Sequence, residues 1–190
     1  MKTLLTTVRA FIVFLVLLGI VYPLFVTGIA QMMMPYESNG SLIELKGKII
    51  GSELIGQQFS SERYFHSRPS ACDYAPTFSR GSNFAPSNHK LIAMVNDRVQ
   101  NVRKENNLMM DINLPADLVT ASASGLDPHI SLENAKLQAK RIALLRNITP
   151  AKLNNLIIEN TELDFIGLWG SPGVNVLKLN LDLDALAKVE

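Results

Sequence analysis

Residues 11–34 read FIVFLVLLGIVYPLFVTGIAQMMM, and no residue from Ala10 to Tyr36 carries a charge. The hydrocarbon core of a bilayer is about 30 Å thick, and roughly 20 apolar residues cross it as a helix. Residues 10–34 are therefore predicted to form a single transmembrane helix. Pro23 is predicted to kink this helix, which membrane helices tolerate better than soluble helices do.

A cleavable signal peptide is the alternative interpretation of this segment. Gly28, Ile29 and Ala30 resemble a small-x-small cleavage site, and Lys2 and Arg9 would form its charged start. The apolar part of a signal peptide usually spans about 7–15 residues, however, and this segment is longer. Its length favours a retained anchor over a cleaved signal.

The basic residues predict the orientation of the anchor. Lys2 and Arg9 precede the apolar segment, whereas the first charged residue after it is Glu37. Because short basic flanks stay in the cytoplasm, residues 1–9 are predicted to be cytoplasmic. Residues 35–48 contain turn formers and are predicted to be a linker. Residues 49–190 then form one extracytoplasmic (periplasmic) domain.

The composition excludes several classes of function. The 190 residues include 18 Lys and Arg against 17 Asp and Glu, so the net charge of +1 gives no general attraction to nucleic acid. Cys72 is the only cysteine, which excludes an intrachain disulfide and a cysteine-based metal cluster. The histidines, His66, His89 and His129, are scattered, so no metal site is predicted and hydrogen-bonded or surface histidines are favoured.

Three helices are predicted in the outer domain, because a capping residue precedes apolar residues at helical spacing. The first follows Ser87 or Asn88, the second follows Ser131, and the third begins at Thr149 and Pro150. Their apolar stripes are Leu91, Val95, Val99 and Val102; Leu132, Ala135, Ala139, Ile142 and Ala143; and Leu153, Leu156 and Ile157.

Two strands are predicted to flank these helices. A short strand is expected near Ile49 and Ile50. In LKLNLDL, residues 177–183, every second residue is leucine, which is typical of a half-buried strand. Residues 51–74 are predicted to be a loop-rich surface with short strands, and Trp169 is predicted to lie in the core. Helices flanked by strands without strict alternation favour an α+β domain.

Residues 119–131, VTASASGLDPHIS, hold the greatest density of polar side chains. A serine hydrolase would need a nucleophile elbow, but no G-x-S-x-G is present. A phosphate site would need a glycine-rich loop with a lysine, and this stretch has only Gly125. A structural turn or docking loop is favoured, with Gly125 at positive φ, Asp127 as a helix cap and Pro128 as the first helical residue. Anion binding and catalysis remain the alternatives.

Five segments spread along the chain carry long and unusual motifs. They are GSELIGQQF (51–59), YFHSRPSA (64–71), GSNFAPSN (81–88), DLVTASASGLDPHIS (117–131) and VNVLKLNLDL (174–183). In this order, and together with the membrane segment, they resemble the C subunit of the Kdp potassium-transporting ATPase. The resemblance implies a bacterial inner-membrane complex with a channel-like A subunit, a P-type ATPase B subunit and a small F peptide.

The resemblance further implies that the chain has no catalytic residue and no tightly bound cofactor. Its role would be to assemble and stabilise the complex, close to the potassium entrance of the A subunit. Docking is predicted through the loops around 64–72, 79–84 and 119–131. The candidate contact residues are Tyr64, Phe65, Arg68, Pro69, Ser82, Asn83, Ser124, Gly125, Asp127 and His129.

An alternative function also comes with the resemblance. In it, the C subunit is a catalytic chaperone that binds ATP and raises the ATP affinity of the B subunit. Gln138, in KLQAKRIA, is the position that would take part. A domain outside the cytoplasm could not reach cytoplasmic ATP, and a solvated glutamine on a helix face is the ordinary interpretation of Gln138.

Overall fold

The computed structural model describes residues 1–162 and 170–186. The chain divides into two compact units, Met1–Ile50 and Gly51–Glu190. The predicted core position of Trp169 lies outside the described residues.

The first unit begins with one long apolar helix, Lys2–Met33, of 32 residues and mean hydropathy 2.6. It consists of α1 (Lys2–Val16), a π-helical turn (Leu17–Val21) and α2 (Tyr22–Met33). The π turn ends two residues before Pro23, which lacks the N–H that would continue the α-helical pattern. None of the side chains of the long helix Lys2–Met33 is buried. By length and composition this helix can cross a membrane.

Residues 35–48, predicted as a linker, carry regular structure. They include α3 (Pro35–Ser38), β1 (Leu42–Leu45) and the first residue of β2 (Lys48–Ser52), which pairs with β1. Lys46 and Gly47 join the two strands at φ values of 53° and 74°, as a two-residue hairpin loop requires. The strand predicted near Ile49 and Ile50 is confirmed.

The second unit packs helices against a small sheet. Its helices are α4 (His89–Glu105), α5 (Ala116–Val119), α6 (Leu132–Arg146), α7 (Pro150–Glu159) and α8 (Val176–Leu186). Its strands are β3 (His129–Ile130), β4 (Thr161–Glu162) and β5 (Gly173–Asn175), in the antiparallel order β3-β5-β4. The buried apolar cluster joins α6, α7, α8 and β5. The architecture confirms the α+β class.

The three predicted helices are confirmed as α4, α6 and α7. The side chain of Asn88 accepts a hydrogen bond from the Lys90 N–H at 2.8 Å, and that of Ser131 accepts from the Asn134 N–H at 3.1 Å. Pro150 is the first residue of α7, as its missing N–H favours. The apolar stripes of α6 and α7 face the core, whereas no residue of α4 is fully buried.

The strand predicted at residues 177–183 is wrong, because this segment forms α8. Val176, Leu179, Asn180 and Leu183 are buried, and their spacing of three, four and seven residues is that of one helix face. Leu181, which a strand would bury beside Leu179, is only half-buried. Alternating leucines also place residues four apart, so the pattern satisfied both periods.

The helix start predicted at Asp127 and Pro128 is also wrong. An Asp127 oxygen accepts a hydrogen bond from the His129 N–H at 3.0 Å and forms a local turn. The chain then passes through β3 before Ser131 caps α6. The predicted positive φ of Gly125 is confirmed at 71°.

Candidate functional site

Four loops that carry the family-like motifs meet in the second unit and form a surface that we call the loop platform. It comprises residues 51–59, 64–72, 79–84 and 119–131. Hydrogen bonds run between these loops from the Gly56 N–H to the Leu126 carbonyl at 2.8 Å, from the Ser122 N–H to the Pro69 carbonyl at 3.2 Å, and from the Ser79 hydroxyl to the Ser124 carbonyl at 3.1 Å. Segments far apart in sequence therefore form one surface.

Glycines allow these loops to approach one another closely. A Cβ at Gly125 would lie 2.6 Å from Sγ of Cys72 and 2.7 Å from the Arg80 carbonyl oxygen. A Cβ at Gly56 would meet the Asp127 carbonyl oxygen in the same way. Real Cβ atoms do not approach other atoms this closely, so any larger residue would push the loops apart.

Ser70 and Tyr74 fix the loop that carries Arg68. The Ser70 hydroxyl donates to the Gly125 carbonyl at 2.7 Å and accepts from the Cys72 and Tyr74 N–H groups. The Tyr74 hydroxyl donates to the Arg68 carbonyl at 2.5 Å. Burial, opposed by the charge of Arg98 and reinforced by Cys72, raises the pKa of Tyr74 to about 12. At neutral pH the phenol is therefore protonated.

Two side-chain amides hold the backbone at residues 65 and 66. Asn180 of α8 accepts from the Phe65 N–H and donates to its carbonyl, both at 2.9 Å. Gln138 of α6 accepts from the His66 N–H at 2.8 Å and donates to its carbonyl at 3.2 Å. Each amide pairs with the backbone as a neighbouring strand would, which anchors the loop platform to the helical core.

The predicted exposure of Gln138 is wrong, because its side chain is 1% exposed. Besides His66, it donates to Oδ1 of Asn134 at 2.7 Å and accepts from Arg141 at 3.1 Å. Burial lowers the pKa of Arg141, although Glu105 and Glu62 act in the opposite direction. The ATP-binding role of Gln138 stays a prediction, and in this structure both polar atoms of its amide are engaged within the domain.

Charged side chains form pairs along the edge of the loop platform. Nη1 of Arg68 lies 2.9 Å from Asp127, and Nε2 of His129 lies 2.9 Å from Glu162. Lys178 contacts Glu162 at 3.3 Å and Glu53 at 2.9 Å. Burial alone would lower the pKa of Lys178, but the Glu53 and Glu162 carboxylates outweigh it and raise that pKa.

The serines of residues 119–131 stabilise the turn. Ser122 is buried and its hydroxyl accepts from the Gly125 N–H at 2.8 Å, while the Ser124 hydroxyl accepts from the Leu126 N–H at 3.1 Å. The ring of His129 faces Glu162 instead of a serine. These contacts support the structural interpretation of the stretch over the catalytic one.

The predicted docking residues differ in accessibility. Asn83 and Ser124 are exposed, and most of the others are half-buried: Tyr64, Arg68, Pro69, Ser82, Asp127 and His129. Phe65 is fully buried in the core cluster, and Gly125 is buried against Cys72. The docking role of all ten residues stays a prediction, and Phe65 and Gly125 would take part in it through the loop positions they fix, since neither is on the surface of this chain.

Exposed apolar residues of these loops were missed from the sequence. Leu54 is 61% exposed, Phe78, which borders the loop platform, is 65% exposed, and Ile55 and Phe84 are 39% and 36% exposed. Apolar residues in turn-rich stretches, outside any periodic pattern, are the signal that could have identified them.

Comparison with known proteins decides the family. Residues 4–185 match the family described as "KdpC: K+-transporting ATPase, c chain". The chain belongs to the KdpC family. A protein of Mycobacterium tuberculosis (strain ATCC 25618 / H37Rv) called "Potassium-transporting ATPase KdpC subunit" is 49% identical over 97% of this chain and 99% of its own length.

Further relatives of the same name support this membership. One from Caldanaerobacter subterraneus subsp. tengcongensis is 48% identical over 93% of this chain and 92% of its own. One from Bacillus cereus (strain Q1) is 48% identical over 95% of this chain and 94% of its own length. The resemblance stated from the motifs is confirmed, and the long apolar helix fits a membrane-associated KdpC protein.

Proposed function

We propose that this KdpC-family chain is a non-catalytic accessory subunit of an ATP-driven potassium uptake complex in the bacterial inner membrane. It assembles and stabilises the channel-like A subunit with the P-type ATPase B subunit and the F peptide. The observation that carries the proposal is the loop platform. Four motif-bearing loops are fixed there by glycines, buried amides and ion pairs, and their serines are engaged in turns.

The membrane helix supports a single-pass anchor in this role. Its apolar side chains are exposed along the whole of Lys2–Met33, so they are free to contact lipid and other membrane helices. Lys2 and Arg9 on the short flank favour a cytoplasmic N-terminus. The loop platform then lies outside the cytoplasm, where it would dock near the potassium entrance of the A subunit.

Apolar residues at the loop platform suit such docking. Leu54, Ile55 and Phe84 of the platform and the bordering Phe78 expose apolar surface, and the same loops carry the half-buried charges of Arg68 and Asp127. Protein interfaces commonly combine apolar anchors with a polar rim.

A co-purification experiment tests the proposal. We expect the double variant Phe78→Ser/Phe84→Ser to reduce the A and B subunits recovered with the tagged chain from membranes. The matched control is Met109→Ser/Met110→Ser, since these methionines are 69% and 86% exposed but lie outside the loop platform. Equal recovery with both double variants would contradict docking through this surface.

The catalytic-chaperone alternative has a separate test. It requires the full-length chain to bind ATP saturably, measured by equilibrium dialysis with labelled nucleotide. The burial of Gln138 and its contacts to His66, Asn134 and Arg141 favour the accessory role. Saturable ATP binding that weakens in a folded Gln138→Ala variant would instead support the chaperone.

A further inference from the structure

A preformed surface groove is lined by α6, α7 and the corner that joins them, outside the loop platform. The two helices meet at a tight corner in which Asn147 has a left-handed φ of 60° and the Ile148 N–H donates to the Ala143 carbonyl at 3.1 Å. Pro150 then begins α7. The groove has a volume of about 650 Å³, enough for several apolar side chains.

The floor of the groove is apolar. Ala139 and Ala143 are one turn apart on α6, and Ile148 lies at the corner, while Leu153, which also lines the groove, is fully buried. The small alanine side chains leave the concavity between the helices. A concave apolar surface binds side chains that protrude from a partner better than it binds a flat surface.

One rim of the groove is positively charged. Lys136, Lys140 and Leu144 follow one another at intervals of four residues along α6, so they lie on one helix face. Both lysines are exposed, and among the described residues neither forms an ion pair. Leu144 is 82% exposed at the end of this row. The opposite rim has uncharged side chains, including Asn154.

We propose that this groove docks an acidic amphipathic helix of another protein. Its apolar side chains would occupy the floor over Ala139 and Ala143, and carboxylates one turn apart would pair with Lys136 and Lys140. Two cations along a single rim match a row of carboxylates on one flank of a helix. A flat bilayer surface would reach the lysines but would not fill the concave floor.

A designed peptide is the probe for this groove. It is a fluorescent helix of about 15 residues, with leucines along one face and glutamates on one flank, and its sister peptide has glutamines in place of the glutamates. Its binding to the full-length chain in phosphatidylcholine nanodiscs is measured by fluorescence anisotropy, with empty nanodiscs as the blank. We expect saturable binding of the glutamate peptide and weaker binding of the glutamine peptide.

Variants of the groove sharpen the test. Lys136→Glu/Lys140→Glu should weaken binding by about tenfold, because each reversal replaces an attraction with a repulsion. Leu144→Ser should also weaken it. All three side chains are exposed, so the fold should survive, and unchanged melting temperatures would check this. The matched control Lys90→Glu/Lys104→Glu, which reverses two exposed charges on α4, should leave binding unchanged.

Several outcomes would overturn the proposal. They are equal binding of the two peptides, equal loss in the groove and control variants, and no binding of either peptide.

Two further outcomes would assign the groove to another occupant. Groove-dependent co-sedimentation with phosphatidylglycerol vesicles, without peptide binding, would indicate a membrane surface. Self-association abolished by Leu144→Ser would indicate a second copy of this chain. None of these results affects the loop platform, which shares no residue with the groove.

Discussion

Gly125 requires glycine for two reasons, its left-handed backbone conformation and its close contact with neighbouring loops. Its φ of 71° is unfavourable for a residue with a Cβ, and that Cβ would meet Cys72 and Arg80. We expect Gly125→Ala to lower the free energy of unfolding of the full-length chain by more than about 2 kcal/mol, measured by urea titration in detergent.

Gly47 is the matched control, because its φ is 74° but nothing lies within 4 Å of an added Cβ. Gly47→Ala should cost only about 1–2 kcal/mol, the cost of the left-handed conformation. Equal losses for both variants would mean that the loops do not pack tightly around Gly125.

Tyr74 makes a pH-dependent contribution to the stability of the folded chain. The direction of its pKa shift gives the sign of this contribution. Because its pKa rises from the ordinary 10.0 to about 12, the folded chain holds the phenolic proton more tightly than the unfolded chain. This contribution to stability is complete below about pH 10 and is lost as the pH rises towards 12. The Tyr74→Phe variant lacks this pH-dependent contribution.

The Tyr74→Phe variant should therefore approach the wild type at high pH. At neutral pH we expect it to be less stable by about 1 kcal/mol, because the Arg68 carbonyl loses its donor. Melting temperatures measured in parallel between about pH 8 and pH 12 should converge, since other titrating groups are common to both proteins. A constant difference across this range would contradict the assignment.

At the scale of the element, α8 provides a direct test of helix against strand. In a strand Leu179 and Leu181 would share one face, whereas in α8 Leu179 is fully buried and Leu181 is half-buried. Leu179→Ala should destabilise the chain by about 2–5 kcal/mol and Leu181→Ala by less than about 1 kcal/mol. Similar losses at both positions in chemical unfolding would support the strand.

Local signals explain which elements could be predicted from the sequence. Asn88 caps α4 by accepting from the N–H two residues later, and Ser131 caps α6 by accepting from the N–H three residues later. A short window of sequence therefore contains the signal for each helix start. The glycine turn at Gly125 is equally local in its φ. Helices that begin with a cap and continue with one apolar period were therefore predicted correctly.

The remaining features depend on contacts between distant segments. Gln138 is buried because it pairs with the backbone of His66, 72 residues away, and Asn180 pairs with Phe65, 115 residues away. No local pattern reports such partners, so Gln138 was predicted to be solvated and α8 to be a strand. The loops of the platform could be named from their motifs, but their contacts with one another could not.

At the scale of the whole molecule, the apolar helix and the second unit expose different kinds of surface. The helix exposes apolar side chains along its whole length, whereas the second unit has a closed core and carries both the loop platform and the groove. Each surface lies on backbone held by buried contacts. The second unit therefore offers two candidate contact surfaces, and the helix offers a third, apolar one.

The orientation of the chain can be tested with single cysteines. In a Cys72→Ala background, which removes the only native thiol, Lys104→Cys places a thiol on the exposed face of α4 and Thr3→Cys places one on the short basic flank. Because Lys2 and Arg9 should keep that flank in the cytoplasm, a membrane-impermeant maleimide should label Lys104→Cys in intact spheroplasts. Thr3→Cys should be labelled only after lysis. The reverse pattern would place the loop platform in the cytoplasm, within reach of ATP, and the chaperone alternative would then be favoured.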